Sequence, residues 1–597
     1  MPKRLIFVEN RQDAETLVED GAFARILPDS IIYVFDKDAE KVLMERAVAY
    51  KTPEQILSVS DYEGLDKDAI HFAKRWHHLG EIANGVTYNG ICLAGLIERD
   101  MAFFFSVILD AIAVSRKVIT YERPDEVCYF ERNYADAAHS VKPGRDETYY
   151  GYFAGYFAPK VTGFRVNSSV AGEDIAVCPN VIYIDANEDR AGKGKKNILW
   201  TNDAEYLDMP PALAAALGRS YVIKHLRVAK GLRVYRIDSI KDPVVFDFSP
   251  LKSFFAHEGV NFFDVVSYKM RHLQLEAFPF LKALIRTLIE ILEKERIDCL
   301  VASEDAMAFN KTAVSVANGI GIPTVVLQKG LCAHAISYIP VTADKFAAWG
   351  QSAKDYLVNG GVSPDKIELV GSPRFQSYRK KSLVDEKERQ GILRELGLDG
   401  KHDRLFLLTL QHGNREALFR NIHVTFHEEL KIVRLLSETM RPLKRDVLCI
   451  KFHPQDKLGA GILRYLGADI PSNVKTVEHY PIEKILKVTD TLITCFSTTA
   501  LEALLMDIPV VVINLFSRPF NMDFTKEGVA AGVYNENDLM TVMSDTKKHG
   551  AYSDEEKERF LSHQFFRKNT EATERLARLI DNVVLEKNRR RHEDIIH

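Results

Sequence analysis

Residues 298–305 read DCLVASED, four apolar residues that stop abruptly at Ser303, Glu304 and Asp305. A short apolar run without polar alternation fits a strand covered on both faces, as in a parallel sheet. Just before it, Leu281, Leu284, Ile285, Leu288 and Leu292 recur at helical spacing. A helix feeding a doubly buried strand is the repeating unit of a parallel α/β sheet.

Working outward, KTAVSVAN reads as a helix, GIGIP as a tight connection, and TVVLQKG and KFAAWG as strands. SAKDYLVNGG is a helix with a glycine stop, and KIELVGSPR is the next strand. A charged segment, RKKSLVDEKERQGILREL, precedes a second series. That series opens at RLFLLTLQHGN and continues through HEELKIVRLLSETM, DVLCIKFHP, NVKTV, IEKILKVT, TLITCFS, TTALEALLM and PVVVINLF. The expected fold class is therefore α/β, with two doubly wound, Rossmann-like domains facing a central cleft.

The pattern predicts a first such domain over 271–375, a linker over 376–400, a second domain over 401–550, and a terminal helix and tail over 551–597. Residues 1–270 form an enlarged N-terminal region, either part of the first domain or added to it. There RLIFVEN and SIIYVFD read as strands and 65–120 as largely helical, whereas 160–250 show no clear period. The loop DRAGKGKKN lacks both Walker spacing and a Ser/Thr after lysine, so it reads as an exposed turn.

With 597 residues, 46% of them apolar, the chain can build two or three cores. A formal charge of −4 gives no global reason to expect nucleic acid as a partner. Seven scattered cysteines without a CxxC pair suggest neither a disulfide framework nor a zinc ribbon, and point to a reducing compartment. The N-terminus offers only Leu5 to Val8 as an apolar run before Glu9, too short for a secretory leader, so a cytoplasmic location is expected. MAFFFSVILDAIAV falls short of the roughly 20 residues a spanning helix needs and carries Asp110, which predicts a buried helix. The tail EKNRRRHEDIIH suits an anionic inner-membrane surface as well as plain solvent, so peripheral association stands beside the cytoplasmic location.

Ligands in open α/β sheets bind outside the carboxyl ends of strands, which is where the polar residues here fall. Pro454 biases His453 toward an extended backbone and places its imidazole at a strand end. Ser497 is a good N-cap with Thr498 and Thr499 opening a helix, a natural phosphate site, and Glu502 one turn on could accept from a ribose hydroxyl. Gln411, His412 and Gly413 form a third strand end, where glycine permits close backbone approach. Each group also has a plain reading as a cap, a turn or a filler. Glu304 and Asp305 could act as acid-base or nucleophilic groups, or serve as a cap with a solvated neighbour. His423 and His427 share a helix face, but Lys431 stands where HExxH needs its second histidine, so no metal site is expected.

Residues 280–585 resemble the GT-B glycosyltransferases of bacterial capsule and lipopolysaccharide assembly, in particular the group of Kdo transferases and polysialyltransferases. His453-Pro454, the Ser497/Thr498 helix start with Glu502, and PVVVINLF carry the likeness, together with GIPTVVLQKG, ADKFAAWGQSAKDYL and GVSPDKIELVGSPRF. The resemblance implies a nucleotide-sugar donor bound by the second domain, with CMP-Kdo or a similar CMP-linked ulosonic acid preferred and UDP-sugars or CDP-alditols next. It implies a glycan or lipid-linked glycan acceptor at the first domain, no cofactor, no metal, and a last helix that crosses back to the first domain. Where relatives read Gln-His-Gly this chain has Gln328-Lys329-Gly330, so Lys329 is expected to supply charge to the donor. Two other readings stay open: a nucleotide-sugar epimerase or hydrolase of the UDP-N-acetylglucosamine 2-epimerase type, and a non-catalytic protein of glycan assembly.

Overall fold

The computed structural model describes residues 3–596 except 21–22, 24–26, 63, 132–148, 166–180, 187–194, 202–208, 228–232, 238–241, 333–337, 379–382, 399, 411–423, 425, 454–469, 519–521 and 545–552. Three α/β sheets carry the chain, two all parallel and one mixed. The N-terminal domain holds β1 (Arg4–Val8), β2 (Ser30–Val34), β3 (Glu126–Glu131) and β4 (Val161–Arg165), in the order β2-β1-β3-β4 and all parallel. Its long helix, Glu98–Glu122, is apolar on nearly every side and is buried accordingly. Asp110 within it accepts from the Tyr150 hydroxyl at 2.6 Å, which accounts for an acid in an apolar run. Among the described residues no helix is long and apolar enough to cross a membrane.

The middle domain is built on β5 (Val181–Ala186), β6 (Lys196–Thr201), β7 (Tyr221–Arg227), β8 (Arg233–Arg236), β9 (Ile297–Ala302), β10 (Thr324–Leu327), β11 (Lys345–Ala348) and β12 (Ile367–Leu369). Their spatial order is β8-β5-β7-β6-β9-β10-β11-β12. From β7 to β12 the neighbours are parallel; β5 and β8 add an antiparallel edge. Half of this sheet comes from residues 181–236, within the stretch where the sequence shows no period. The N-terminal region is thus divided: residues 4–165 make their own sheet and 181–236 join the middle one. The edge strands are half wet and the central strand has only Ile198, Leu199 and Trp200 as an apolar run, so neither gives a periodic signal.

The C-terminal domain holds β13 (Arg404–Thr409), β14 (Asp446–Lys451), β15 (Val474–Val477), β16 (Thr491–Thr494), β17 (Val510–Ile513) and β18 (Ala531–Val533). All are parallel, in the order β15-β14-β13-β16-β17-β18, the doubly wound arrangement that binds ligands where the order reverses. Two such domains facing a cleft make the layout GT-B-like.

A capping box of Ser553 and Glu556 starts helix Asp554–Gln564, after which the chain returns to the middle domain. Phe565 stacks on Trp349, and Asn569 bonds both backbone groups of Ser372. Helix Ala572–Ile596 then lays Leu576, Leu579, Ile580, Val583 and Val584 into one cluster with Ile198, Trp200, Val301 and Val325. Five buried aliphatic side chains contribute on the order of 10 kcal/mol, which fastens the end of the chain to the middle sheet.

Candidate functional site

The C-terminal sheet reverses between β13 and β16, so its ligand crevice opens above Thr409 and Thr494. These two residues are register partners, and the hydroxyl of each is buried without a hydrogen-bond partner among the described residues. Three residues beyond Thr494, the Ser497 hydroxyl accepts from Thr499 N at 3.2 Å and donates to Thr499 Oγ1 at 3.0 Å. Thr498 occupies the cap position with a helical backbone and no side-chain cap bond, so Ser497 does the capping from one residue earlier than the helix boundary suggests. His453 is partly exposed at the carboxyl end of β14, next to β13. Gln411, His412, Gly413 and Pro454, expected at the same crevice, lie outside the described residues, as does His423.

Glu502 does not face the crevice freely. Its carboxylate is 2% exposed, accepts from the Tyr378 hydroxyl at 2.5 Å and pairs with Arg374 at 3.3 Å. Burial pushes this carboxyl up, while Arg374 and Tyr378 pull it back. A fully buried pair lies in the same domain: Arg518, in the turn after β17, reaches Glu428 of helix Phe426–Met440 at 2.6 Å. The turn is held by Asn514, which accepts from Arg518 N at 2.7 Å and donates to its carbonyl at 2.9 Å. Neither partner stands out in sequence, because a lone arginine after a strand has no period or motif.

The middle sheet reverses between β6 and β9, and a cleft of about 690 Å³ opens at that point. Trp200, Ser303, Gln328 and Lys329 line it from the strand ends, Arg374 from the approach to the linker, and Glu483 from the C-terminal domain. The Gln328 side chain accepts from Trp349 N at 2.7 Å and donates to the Gly330 carbonyl at 2.9 Å. Tyr338 Oη accepts from both Lys329 N at 3.1 Å and Gly330 N at 3.0 Å. With these backbone donors engaged, Lys329 is the basic residue of this loop that lines the cleft. Phe496, adjacent to Ser497, is buried in the same apolar cluster as the first two domains, which brings the C-terminal crevice against the middle domain.

Glu304 and Asp305 are both fully buried. Glu304 accepts from Ala306 N at 2.6 Å, Met307 N at 2.8 Å and Asn310 Nδ2 at 2.7 Å, which uses both oxygens to start helix Ala308–Gly319. Asp305 Oδ2 accepts from Thr342 N at 2.6 Å and Ala343 N at 3.1 Å, while Oδ1 is buried without a partner. Burial, against the pull of those two amides, pushes this carboxyl up to about 6. As placed, neither acid offers an oxygen to the cleft, and their oxygens fasten the loops after β9 and before β11 instead. His427 lies 3.2 Å from Glu40 of the N-terminal domain, which raises the histidine's affinity for its proton. Among the described residues no cluster of histidine, cysteine and acidic side chains has the makings of a metal site.

Residues 361–582 match the family model described as CDP-glycerol:poly(glycerophosphate) glycerophosphotransferase. The matched span covers the linker, the whole C-terminal sheet and the start of the crossing helix. No curated protein matches the sequence. Among solved structures, the chain is similar to MnaA from S. aureus in complex with UDP, at 15% identity over 64% of this chain and 94% of that one, with a TM-score of 0.40. It is similar to the UDP-GlcNAc 2-epimerase from Neisseria meningitidis at 14% identity over 66% and 100%, with a TM-score of 0.42. It is also similar to the wall teichoic acid polymerase TagF at 13% identity over 67% and 91%, with a TM-score of 0.40. The family match supports a GT-B-like transferase; it gives no support to the Kdo, CMP, capsule and lipopolysaccharide specifics that the motifs suggest.

Proposed function

We propose that this chain transfers an alditol phosphate from a CDP-linked donor, CDP-glycerol or a close analogue, to a hydroxyl of an alditol-phosphate or glycan acceptor. The observation that carries the reading is the family match over residues 361–582, the part of the chain that builds the donor-side crevice. CDP-alditol thereby replaces CMP-Kdo as the preferred donor.

In this reading the acceptor hydroxyl attacks the alditol-bearing phosphorus. The P–O bond to CMP breaks, CMP departs with the electron pair, and the hydroxyl proton passes to water or to the departing phosphate. Charge grows on the leaving phosphate, and fixed dipoles and cations there lower the barrier. We assign that role to His453 and the Ser497 hydroxyl on one side and to Lys329 on the other, with Thr498 and Thr499 shaping the turn. Glu304, Asp305 and Glu502 act as framework: their oxygens hold backbone and neighbouring side chains in place.

The test is a ligand panel followed by product analysis. CDP-glycerol is expected to raise the melting temperature, and CMP release is expected to require a polyol-phosphate acceptor. A shift with CMP-Kdo or UDP-GlcNAc and none with CDP-glycerol overturns the donor assignment.

A further inference from the structure

Trp200 lies on β6 and Ser303 directly follows β9, its parallel neighbour. Trp200 is the register partner of Val301, and Ser303 N donates to the Thr201 carbonyl at 3.1 Å, so both residues stand at one strand end. Side chains alternate along a strand, which puts Ser303 on the face of Val301 and hence of Trp200. Both line the cleft, at 2% and 4% exposure. Trp200 Nε1 and Ser303 Oγ are buried, and neither has a hydrogen-bond partner among the described residues.

The polar groups beside them are satisfied. Thr201 Oγ1 donates to Asn310 Oδ1 at 2.8 Å, and Asn310 in turn donates to Glu304. Buried donors without partners are rare and costly, and two of them converge where the strand order reverses, the position at which such sheets take ligands. An indole N–H only donates, so the occupant must present an oxygen lone pair, and a serine hydroxyl both donates and accepts. One ligand hydroxyl meets both requirements: it accepts from Trp200 and donates to Ser303. Lys329 and Arg374 on the same cleft add charge for a phosphate.

We propose that Trp200 Nε1 and Ser303 Oγ bind a hydroxyl of the acceptor, a polyol phosphate, and make the middle domain selective for hydroxylated over plain alkyl phosphates. This rests on the transferase reading above for calling the ligand an acceptor. Calorimetric titration of the full chain with glycerol 3-phosphate and with propyl phosphate tests it. Glycerol 3-phosphate is expected to bind about tenfold tighter, one hydrogen-bonded group's worth of discrimination. Ser303→Ala and Trp200→Phe each erase that preference without changing the affinity for propyl phosphate or CDP-glycerol. Ser303→Ala, which removes an unpaired hydroxyl, keeps the wild-type melting temperature and so guards against misreading a folding defect. Equal affinity for the two phosphates, no binding of glycerol 3-phosphate, or a preference that survives both variants overturns the proposal. Failure of CDP-glycerol to bind overturns the donor reading instead, and leaves the hydroxyl preference standing as a separate result.

Discussion

Tyr378 donates its phenolic proton to Glu502 at 2.5 Å, joining the start of the linker to the first turn of the helix that follows β16. Arg374 holds the other oxygen at 3.3 Å, so a carboxylate at a ligand-facing position in sequence is consumed between segments.

Glu502→Ala leaves the half-exposed Arg374 to water and the Tyr378 hydroxyl without its acceptor, and is expected to cost about 1–2 kcal/mol of stability, with the donor KM unchanged. Tyr378→Phe, which removes one neutral donor, costs about 1 kcal/mol. Chemical denaturation with parallel kinetics checks both. A raised donor KM with unchanged stability would return Glu502 to the ribose.

Asp305 gives a pH signature. Its folded carboxyl is pushed up to about 6 from an ordinary value near 4, so the contribution it makes is present at low pH and is lost as pH rises through about 6. Asp305→Asn cannot ionise. Between pH 4 and 7 the variant should gain about 3 kcal/mol on wild type, read as the difference between two urea unfolding series.

Thr409 and Thr494 present paired, unpartnered hydroxyls at the donor-side reversal. Replacing Thr494 by Val keeps the shape and removes a buried polar atom, so thermal stability should hold or rise by up to about 1 kcal/mol. If the hydroxyls wait for a donor oxygen, the same change raises the donor KM about fivefold. A variant that is stabilised and kinetically silent shows that the hydroxyl has no role in binding.

The His427–Glu40 pair ties the N-terminal domain to the C-terminal one. Because Glu40 raises the histidine's pKa, the contact is fully present below the ordinary histidine value and is lost as pH rises past the raised one. Partial exposure keeps its worth under about 1 kcal/mol. Protease nicking between the domains should increase above neutral pH in wild type and be pH-independent in His427→Ala.

In the C-terminal sheet β18 was not read from the sequence, whereas the other five of its six strands were legible from residue 404 to Ile513, most of them as short apolar runs separated by helical periods. That is how a sheet buried on both faces must be written. Ser497 was legible for a similar reason: capping is local, and a serine before a helix answers to its own backbone. The strands over 181–236 toward the sheet edge were not legible, since they are wet on one side and take their place only through pairing, β7 with β6, β5 with β7 and β8 with β5.

The sharper differences lie in the acids and in the silent partners. Glu304, Asp305 and Glu502 have the composition of a reactive site, yet Glu304 is spent on the start of its own helix, one oxygen of Asp305 on Thr342 and Ala343, and Glu502 on Tyr378 and Arg374. Trp200, Ser303, Thr409 and Thr494 carry no motif, and what distinguishes them is a partner that is missing in space. Local chemistry could be read from the chain alone, because caps, turns and apolar runs are decided within a few residues. Whether a polar atom is used up or left open depends on segments tens of residues away, 37 for Asp305 and Thr342 and 124 for Glu502 and Tyr378, and only folding brings those together.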